Sequence, residues 1–186
     1  MKKTMFFVLL AFCFTGCKKS ETGPAGSVKE STDKRPLAHA SATPFTIVIV
    51  PDTQYETEGS GGATNQMMID KMDWIIQNKV NENIAFVAGV GDIVDAGSQS
   101  SDWDFAKAQY HRLTTAGVRW GAAVGNHDQW PLEDPRTTST SNYNARFGRN
   151  TYFHDKSWYG GNLLGAGDNN NDNYYCLFSQ SGSILS

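Results

Sequence analysis

The residues with the chemistry of a reactive site fall in three short turns. Asp52 lies in Pro51-Asp52-Thr53-Gln54, Asp92 and Asp95 in Gly91-Asp92-Ile93-Val94-Asp95, and the third turn reads Gly125-Asn126-His127-Asp128. Carboxylates gathered in one place repel one another unless a cation neutralises them, so the economical chemistry is a hard or borderline divalent metal. An Asn offers a neutral carbonyl oxygen to such an ion, and a His offers a ring nitrogen or a proton. Singly, each Asp or Asn is an ordinary turn former or helix cap. The signal is the three turns together.

Each turn closes an apolar run. Phe45-Thr-Ile-Val-Ile-Val50 and Ile84-Ala-Phe-Val-Ala88 are β-branched and aromatic stretches of buried-strand type, and Val118 to Val124 is a third. Between the first two, Met68, Met72, Ile75 and Ile76 recur at helical spacing and predict an amphipathic helix over 64–79. Gly59 to Gly62 reads as the loop leading into it. A second helix is expected from Ser101, with Asp104 completing a capping-box variant. Trp103, Ala106, Tyr110 and Leu113 form its inner stripe and Gly117 its C-terminal cap. Strand and helix alternating at this length mean βαβ units and a largely parallel sheet. Right-handed crossovers then set the carboxyl ends of the strands along one edge, where α/β proteins bind ligands.

Composition narrows the class of function. With 39% apolar and 19% charged residues, the chain is neither a coiled coil nor wholly disordered. Lys2 and Lys3, the apolar run Met5 to Phe14 and Thr15-Gly16-Cys17 have the layout of a secretory signal peptide, too short to span a bilayer as a helix. A Cys directly after a small residue also resembles a bacterial lipobox, which makes Cys17 the expected lipidation site. The expected organisation is a signal peptide over 1–16, a flexible linker over 17–43 and a globular domain over 44–186. Only Cys17 and Cys176 remain after cleavage, so neither a disulfide framework nor a cysteine zinc site is expected. From Pro44 onward nine basic residues face sixteen acidic ones, a net charge of −7. Specific nucleic-acid binding is not expected of such a surface, because phosphate contacts need clustered Lys and Arg.

Gly91-Asp92-Ile93-Val94-Asp95 and Gly125-Asn126-His127-Asp128, downstream of Asp52, resemble the first three motifs of the calcineurin-like metallophosphoesterases in order, spacing and position after each strand. The likeness extends to Asn142-Tyr143-Asn144, Phe147-Gly148 and Asn171-Asp172-Asn173-Tyr174, which look like a bacterial subgroup of that family. The resemblance implies a four-layer α/β sandwich with two divalent metal ions (Mn, Fe, Zn or Mg) at the strand ends. It further implies hydrolysis of a phosphomonoester or phosphodiester by a metal-activated hydroxide. Carried over residue by residue, Asp52 binds the first metal, Asp92 bridges both and Asn126 binds the second. His127 corresponds to the proton donor to the leaving oxygen, and Asp95 to the carboxylate that orients it.

Two departures stand out. The family's first motif is Asp-x-His, and here Gln54 takes the place of that His. Gln54 either supplies a carbonyl oxygen that favours harder cations or stands outside the ligand shell. The family's later His residues, including a Gly-His-x-His motif, have no counterpart among His111, His127 and His154. The chain therefore reads as the N-terminal part of the family's domain, a fragment being the favoured explanation. The competing function is a non-catalytic exported lipoprotein that keeps the fold as a binding module. His111, inside the second helix, reads as a surface or satisfied core imidazole. Asp168 to Asn173 reads as a solvated cluster of Asx turns in preference to a calcium loop, since the glycine and closing Glu of an EF-hand are missing. Trp130 reads as packing in preference to a substrate platform. The expected location is outside the cytoplasm, anchored to a membrane and facing the periplasm or cell surface.

Overall fold

The computed structural model describes residues 44–131, 138–163, 169–180 and 183–185. The segments expected to be a signal peptide and a linker, with Cys17, and Asp168 lie outside the described residues. Three parallel strands, β1 (Thr46–Val50), β2 (Ile84–Gly89) and β3 (Trp120–Ala122), form a sheet in the order β1-β2-β3. The helices α1 (Gln54–Glu58), α2 (Asn65–Asn78) and α3 (Ser100–Thr115) lie in the crossovers. Then come α4 (Ser141–Phe147), a π-helical turn (Arg149–Phe153) and two antiparallel pairs, β4 (Tyr159–Asn162) with β5 (Tyr174–Cys176) and β6 (Phe178–Gln180) with β7 (Ser183–Leu185).

Register explains which side chains go inward. Val48 pairs with Val87 and Val50 with Gly89, so one face of the sheet carries Val48, Val50 and Val87 into the core. Met68, Met72 and Ile75 of α2 and Trp103, Ala106, Tyr110 and Leu113 of α3 pack against that face, all essentially free of solvent. The two helical stripes expected from spacing are the buried ones. On the opposite face Phe86 stacks on Phe178 of β6 at 4.7 Å between ring centroids. Helices on one face and strands on the other is the mixed α/β class that the motifs imply.

Local details depart from the sequence reading for physical reasons. The stretch between Asp52 and Gly59, for which the sequence predicts no helix, contains α1. It closes on Gly59, at φ +78°, and is held from outside by Asn65, whose side chain donates to the Glu56 and Thr57 carbonyls at 2.8 and 2.9 Å. Lys71 of α2 adds a buried ion pair to both Glu56 oxygens at 2.9 Å. Helix α3 has no capping box: Ser101 lies inside the helix and its hydroxyl bonds Asp102 instead. Its other end behaves as expected. Gly117, at φ +76°, donates to the Thr114 carbonyl while Val118 donates to Leu113, which is a Schellman closure. That closure uses Val118 and shortens the third strand to Trp120–Ala122. Beyond it, Ala122 donates its N–H to the Tyr174 hydroxyl at 2.7 Å and accepts from Tyr143 at 2.7 Å, so two tyrosines stand where another strand would bond.

The Asn-rich segment is likewise not the solvated cluster expected. The Asp172 N–H does close an Asx turn on Asn170, but Asn171 is fully buried, donates to the Phe147 carbonyl at 3.0 Å and accepts the Tyr159 hydroxyl. Asp172 accepts from Asn144 and Thr140, both at 2.8 Å. The segment is a polar clamp on α4.

His111 is neither a surface nor a satisfied imidazole. It stacks on Tyr152 at 3.9 Å, and its Nε2 is buried without a hydrogen-bond partner. Burial, with Lys107 and Lys156 nearby, lowers its pKa to about 4. The unfolded chain takes up this proton near 6.5, so stability is complete above that value and is lost as pH falls from 6.5 toward 4. Halving the simple linkage value, because the ring is partly exposed, leaves roughly 1 kcal/mol between pH 7 and pH 5. His111→Phe keeps the stack and should remove that slope in urea titrations at the two pH values. Equal slopes in both proteins would refute the assignment.

Candidate active site

All three strands end at one edge, and the polar turns meet there. The turn after β1 is tied to the turn after β2: the Thr53 N–H donates to the Asp92 carbonyl at 3.1 Å, and the Thr53 hydroxyl donates to the Ile93 carbonyl at 3.1 Å. The Thr57 hydroxyl reaches the same Ile93 carbonyl at 3.0 Å. Asp52 is exposed and accepts the Gln54 N–H at 3.0 Å, which folds its carboxylate back over the start of α1.

The turns after β2 and β3 approach closely because glycines let them. Gly91, at φ +100°, would bring a Cβ within 2.7 Å of the Gly125 nitrogen, and a Cβ on Gly125 would overlap the Asp92 carboxylate. Asp92 itself sits in the left-handed region at φ +48°, a conformation that Asp tolerates better than most residues. From there its Oδ1 accepts the His127 N–H at 3.0 Å.

His127 is oriented from Asp95. Its Nδ1 is 2.8 Å from the Asp95 main-chain carbonyl and 3.4 Å from the Asp95 Oδ1. A carbonyl only accepts, so the Nδ1 carries the proton and Nε2 is the working nitrogen. The carboxylate expected to orient the ring is therefore the more distant partner, and the main chain of the same residue is the nearer one. That hydrogen bond raises the His127 pKa above its ordinary value, burial opposes it, and the negative fields of Asp92, Asp95 and Asp52 add to the rise. The carboxylates acting on this imidazole belong to the turns after β1 and β2.

Asp128 has a different place from its neighbours. It is 1% exposed, and its Oδ1 accepts the N–H groups of Ile93 at 2.8 Å and Val94 at 3.1 Å, while Oδ2 accepts that of Gly125 at 2.8 Å. Burial pushes its pKa up to about 6 against the pull of those three donors. Both oxygens are engaged inside the protein, a role that the sequence, which shows only a carboxylate beside a His, does not announce. Asn126 is exposed at the strand ends. His154 is exposed after the π-helical turn, and Trp130 is 49% exposed, with its backbone paired to Ser139 and not packed into the core.

Residues 45–183, nearly the whole of this architecture, match the calcineurin-like phosphoesterase family. The chain belongs to that family. Among curated proteins it is similar to the uncharacterized protein YvnB of Bacillus subtilis (strain 168), with 31% identity over 140 residues, 75% of this chain and 10% of that protein. The chain thus spans about a tenth of the length of that relative. No solved structure matches the chain significantly.

Members of the calcineurin-like phosphoesterase family typically bind divalent metals. Among the described residues no group of three His, Cys, Asp or Glu side chains is placed to hold an ion unaided. The donors that the turns present are the carboxylates of Asp52 and Asp92 and the amides of Asn126 and Gln54. Gln54 is 5% exposed, and its Oε1 is buried with no hydrogen-bond partner. A buried carbonyl left unpaired costs about 1–3 kcal/mol, a penalty that a facing cation would remove. Oxygen donors of this kind fit hard divalent ions.

Proposed function

We propose that this chain is a metal-dependent phosphoesterase that hydrolyses a phosphomonoester or phosphodiester at the edge where β1, β2 and β3 end. The observation that carries the reading is His127, held through Nδ1 on Asp95 and through its N–H on Asp92, beside the carboxylates of the turns after β1 and β2. Asp52, Asp92 and Asn126 would hold two divalent cations (Mn, Fe, Zn or Mg), with Asp92 shared and the Gln54 carbonyl completing the first position. Bound there, such ions would supply Lewis acidity toward the phosphoryl oxygens and make a water nucleophilic near neutral pH.

The protein's own groups account for the rest. The tautomer set by Asp95 leaves Nε2 to carry a proton to the leaving oxygen. The exposed edge admits an ester from solvent, and the net −7 surface of the domain leaves phosphate recognition to the cations and His127.

The test is hydrolysis of a chromogenic phosphodiester and a phosphomonoester by the purified chain with Mn, Mg, Zn or Fe(II) added singly. Turnover that rises with at least one metal and disappears with a chelator is the expected outcome. Equal rates with and without metal would refute metal dependence, and no turnover with any metal would refute the enzyme reading.

We also infer export and anchoring of this phosphoesterase through Cys17. A lone acyl chain binds membranes marginally, whereas two or more hold firmly. Cys17→Ser should move the protein from the detergent fraction to the soluble one in cell fractionation. A wild-type chain that is already soluble would remove the anchor from the proposal.

A further inference from the structure

The turns after β2 and β3 exchange carboxylates. Asp92, from the first, accepts the His127 N–H of the second at 3.0 Å. Asp128, from the second, accepts the Ile93 and Val94 N–H groups of the first at 2.8 and 3.1 Å and closes its own turn on Gly125 at 2.8 Å. The two sides are unequal. Asp92 is partly exposed and faces the site, whereas Asp128 is 1% exposed and touches only protein. The two amides that Asp128 takes belong to the residues directly after Asp92, which is held at φ +48°. A non-glycine residue keeps that conformation only where its surroundings over-determine it. A single carboxylate accepting two successive N–H groups is such a constraint. It acts on the backbone that aims the Asp92 side chain.

Nearby packing favours the same geometry. Gly97 lies against Asp128 so closely that a Cβ would stand 2.9 Å from the Asp128 carbonyl carbon, and the Gly97 carbonyl is pinned by the Trp103 indole and the Asn142 amide, each at 2.9 Å. The segment from Ile93 to Gly97 is thereby gripped by Asp128 at one end and by α3 and α4 at the other. Asp95, which orients His127, lies between the two grips.

We propose that Asp128 is a positioning residue of this site: its buried carboxylate locks the turn carrying Asp92 and Asp95 to the turn carrying His127, and so sets His127 against its partners for phosphate-ester hydrolysis. The catalytic part of this inference rests on the phosphoesterase reading; the lock does not.

The experiment compares the full chain with Asp128→Ala and Asp128→Asn by amide hydrogen exchange, by the ¹⁵N resonances of the His127 ring, and by steady-state hydrolysis of the chromogenic ester. Alanine removes both acceptor oxygens and with them all three hydrogen bonds, so Ile93, Val94 and Gly125 should each lose about tenfold or more in protection, while Met72 of α2 keeps its own. Asparagine retains one carbonyl oxygen for Ile93 and Val94 and turns an NH₂ toward Gly125, so Gly125 alone should lose protection. In the alanine variant the His127 ring should pass from the single Nδ1-protonated tautomer to a mixture. There kcat should fall about 100-fold with KM little changed, as expected for misplacement of groups that act in the transition state. If alanine does not fold, the asparagine pattern decides. Wild-type protection at Gly125 in Asp128→Asn, or an unchanged His127 ring in a folded Asp128→Ala, would overturn the lock. A higher KM with kcat intact would overturn the positioning role. A wild-type chain without hydrolytic activity would refute the phosphoesterase reading, while the exchange and ring measurements would still decide the lock.

Discussion

His127→Ala is expected to lower turnover by ~10²–10⁴-fold, the range typical for loss of a general acid, and to leave bound metal nearly unchanged. The reason is its position. The Nδ1 is committed to Asp95 at 2.8 Å, so the ring has one nitrogen left to move a proton. Asp92→Asn should give the opposite pattern. A neutral amide is a weak bridge between cations, so metal content and the thermal stabilisation by added Mn should both fall. Its Oδ1 can still accept the His127 N–H, so the fold should survive. Metal analysis beside kinetics separates the two variants. Equal metal content in wild type and Asp92→Asn would show that the cation site lies elsewhere, and metal loss in His127→Ala would make that His a ligand and not an acid.

Trp120→Ala should be the most destabilising single core substitution, by about 3–5 kcal/mol in urea or thermal unfolding. Trp120 is fully buried at the start of β3, with the rings of Tyr110, Phe153, Tyr152 and Phe147 at 4.8, 5.0, 5.4 and 5.5 Å. Its indole N–H donates to the Thr114 hydroxyl at 2.8 Å, and its carbonyl accepts the Trp158 indole at 2.8 Å. Alanine would leave a cavity in the aromatic cluster that joins α3, the π-helical turn and β3, and remove the indole donor. For a domain whose total stability is about 5–15 kcal/mol, this is a large share. Trp120→Phe keeps most of the volume and should cost about 1–2 kcal/mol. A loss under about 1 kcal/mol for the alanine variant would mean that the cluster repacks and does not depend on this ring.

Much of the architecture was legible in the residues alone because it follows from periodicity. Met68, Met72 and Ile75 recur every three or four positions, as do Trp103, Ala106, Tyr110 and Leu113, and only a helix buries such a stripe on one side. Short β-branched runs between helices leave little choice but a parallel sheet, and a parallel sheet gathers the turns after its strands at one edge. That is why Asp52, Asp92, Asp95, Asn126 and His127 are expected in one neighbourhood from the sequence alone. Gly117 as a helix cap is legible in the same way, since it needs only a local left-handed turn.

What the sequence could not settle depends on contacts between residues far apart in the chain. Helix α1 has five residues, too few to be stable by propensity, and it exists because Asn65 and Lys71 bind it from α2. The burial of Asn171 and the partial burial of Asp172 are decided by α4, which supplies the partners that let polar side chains leave water. The division of labour among the acidic residues is of the same kind. Asp92 and Asp128 are both carboxylates in glycine-led turns, and the motif resemblance, which gives Asp92 a metal, gives Asp128 no role. Only the approach of Gly91 to Gly125, which brings together two turns far apart in the chain, directs one carboxylate toward the open edge and surrounds the other with three backbone N–H groups. The sequence alone determined the helices, the parallel sheet and the edge where the polar turns gather, because periodicity and strand order are written locally. The tertiary structure decided which carboxylate faces outward and which is enclosed, because that depends on how closely two backbones can approach.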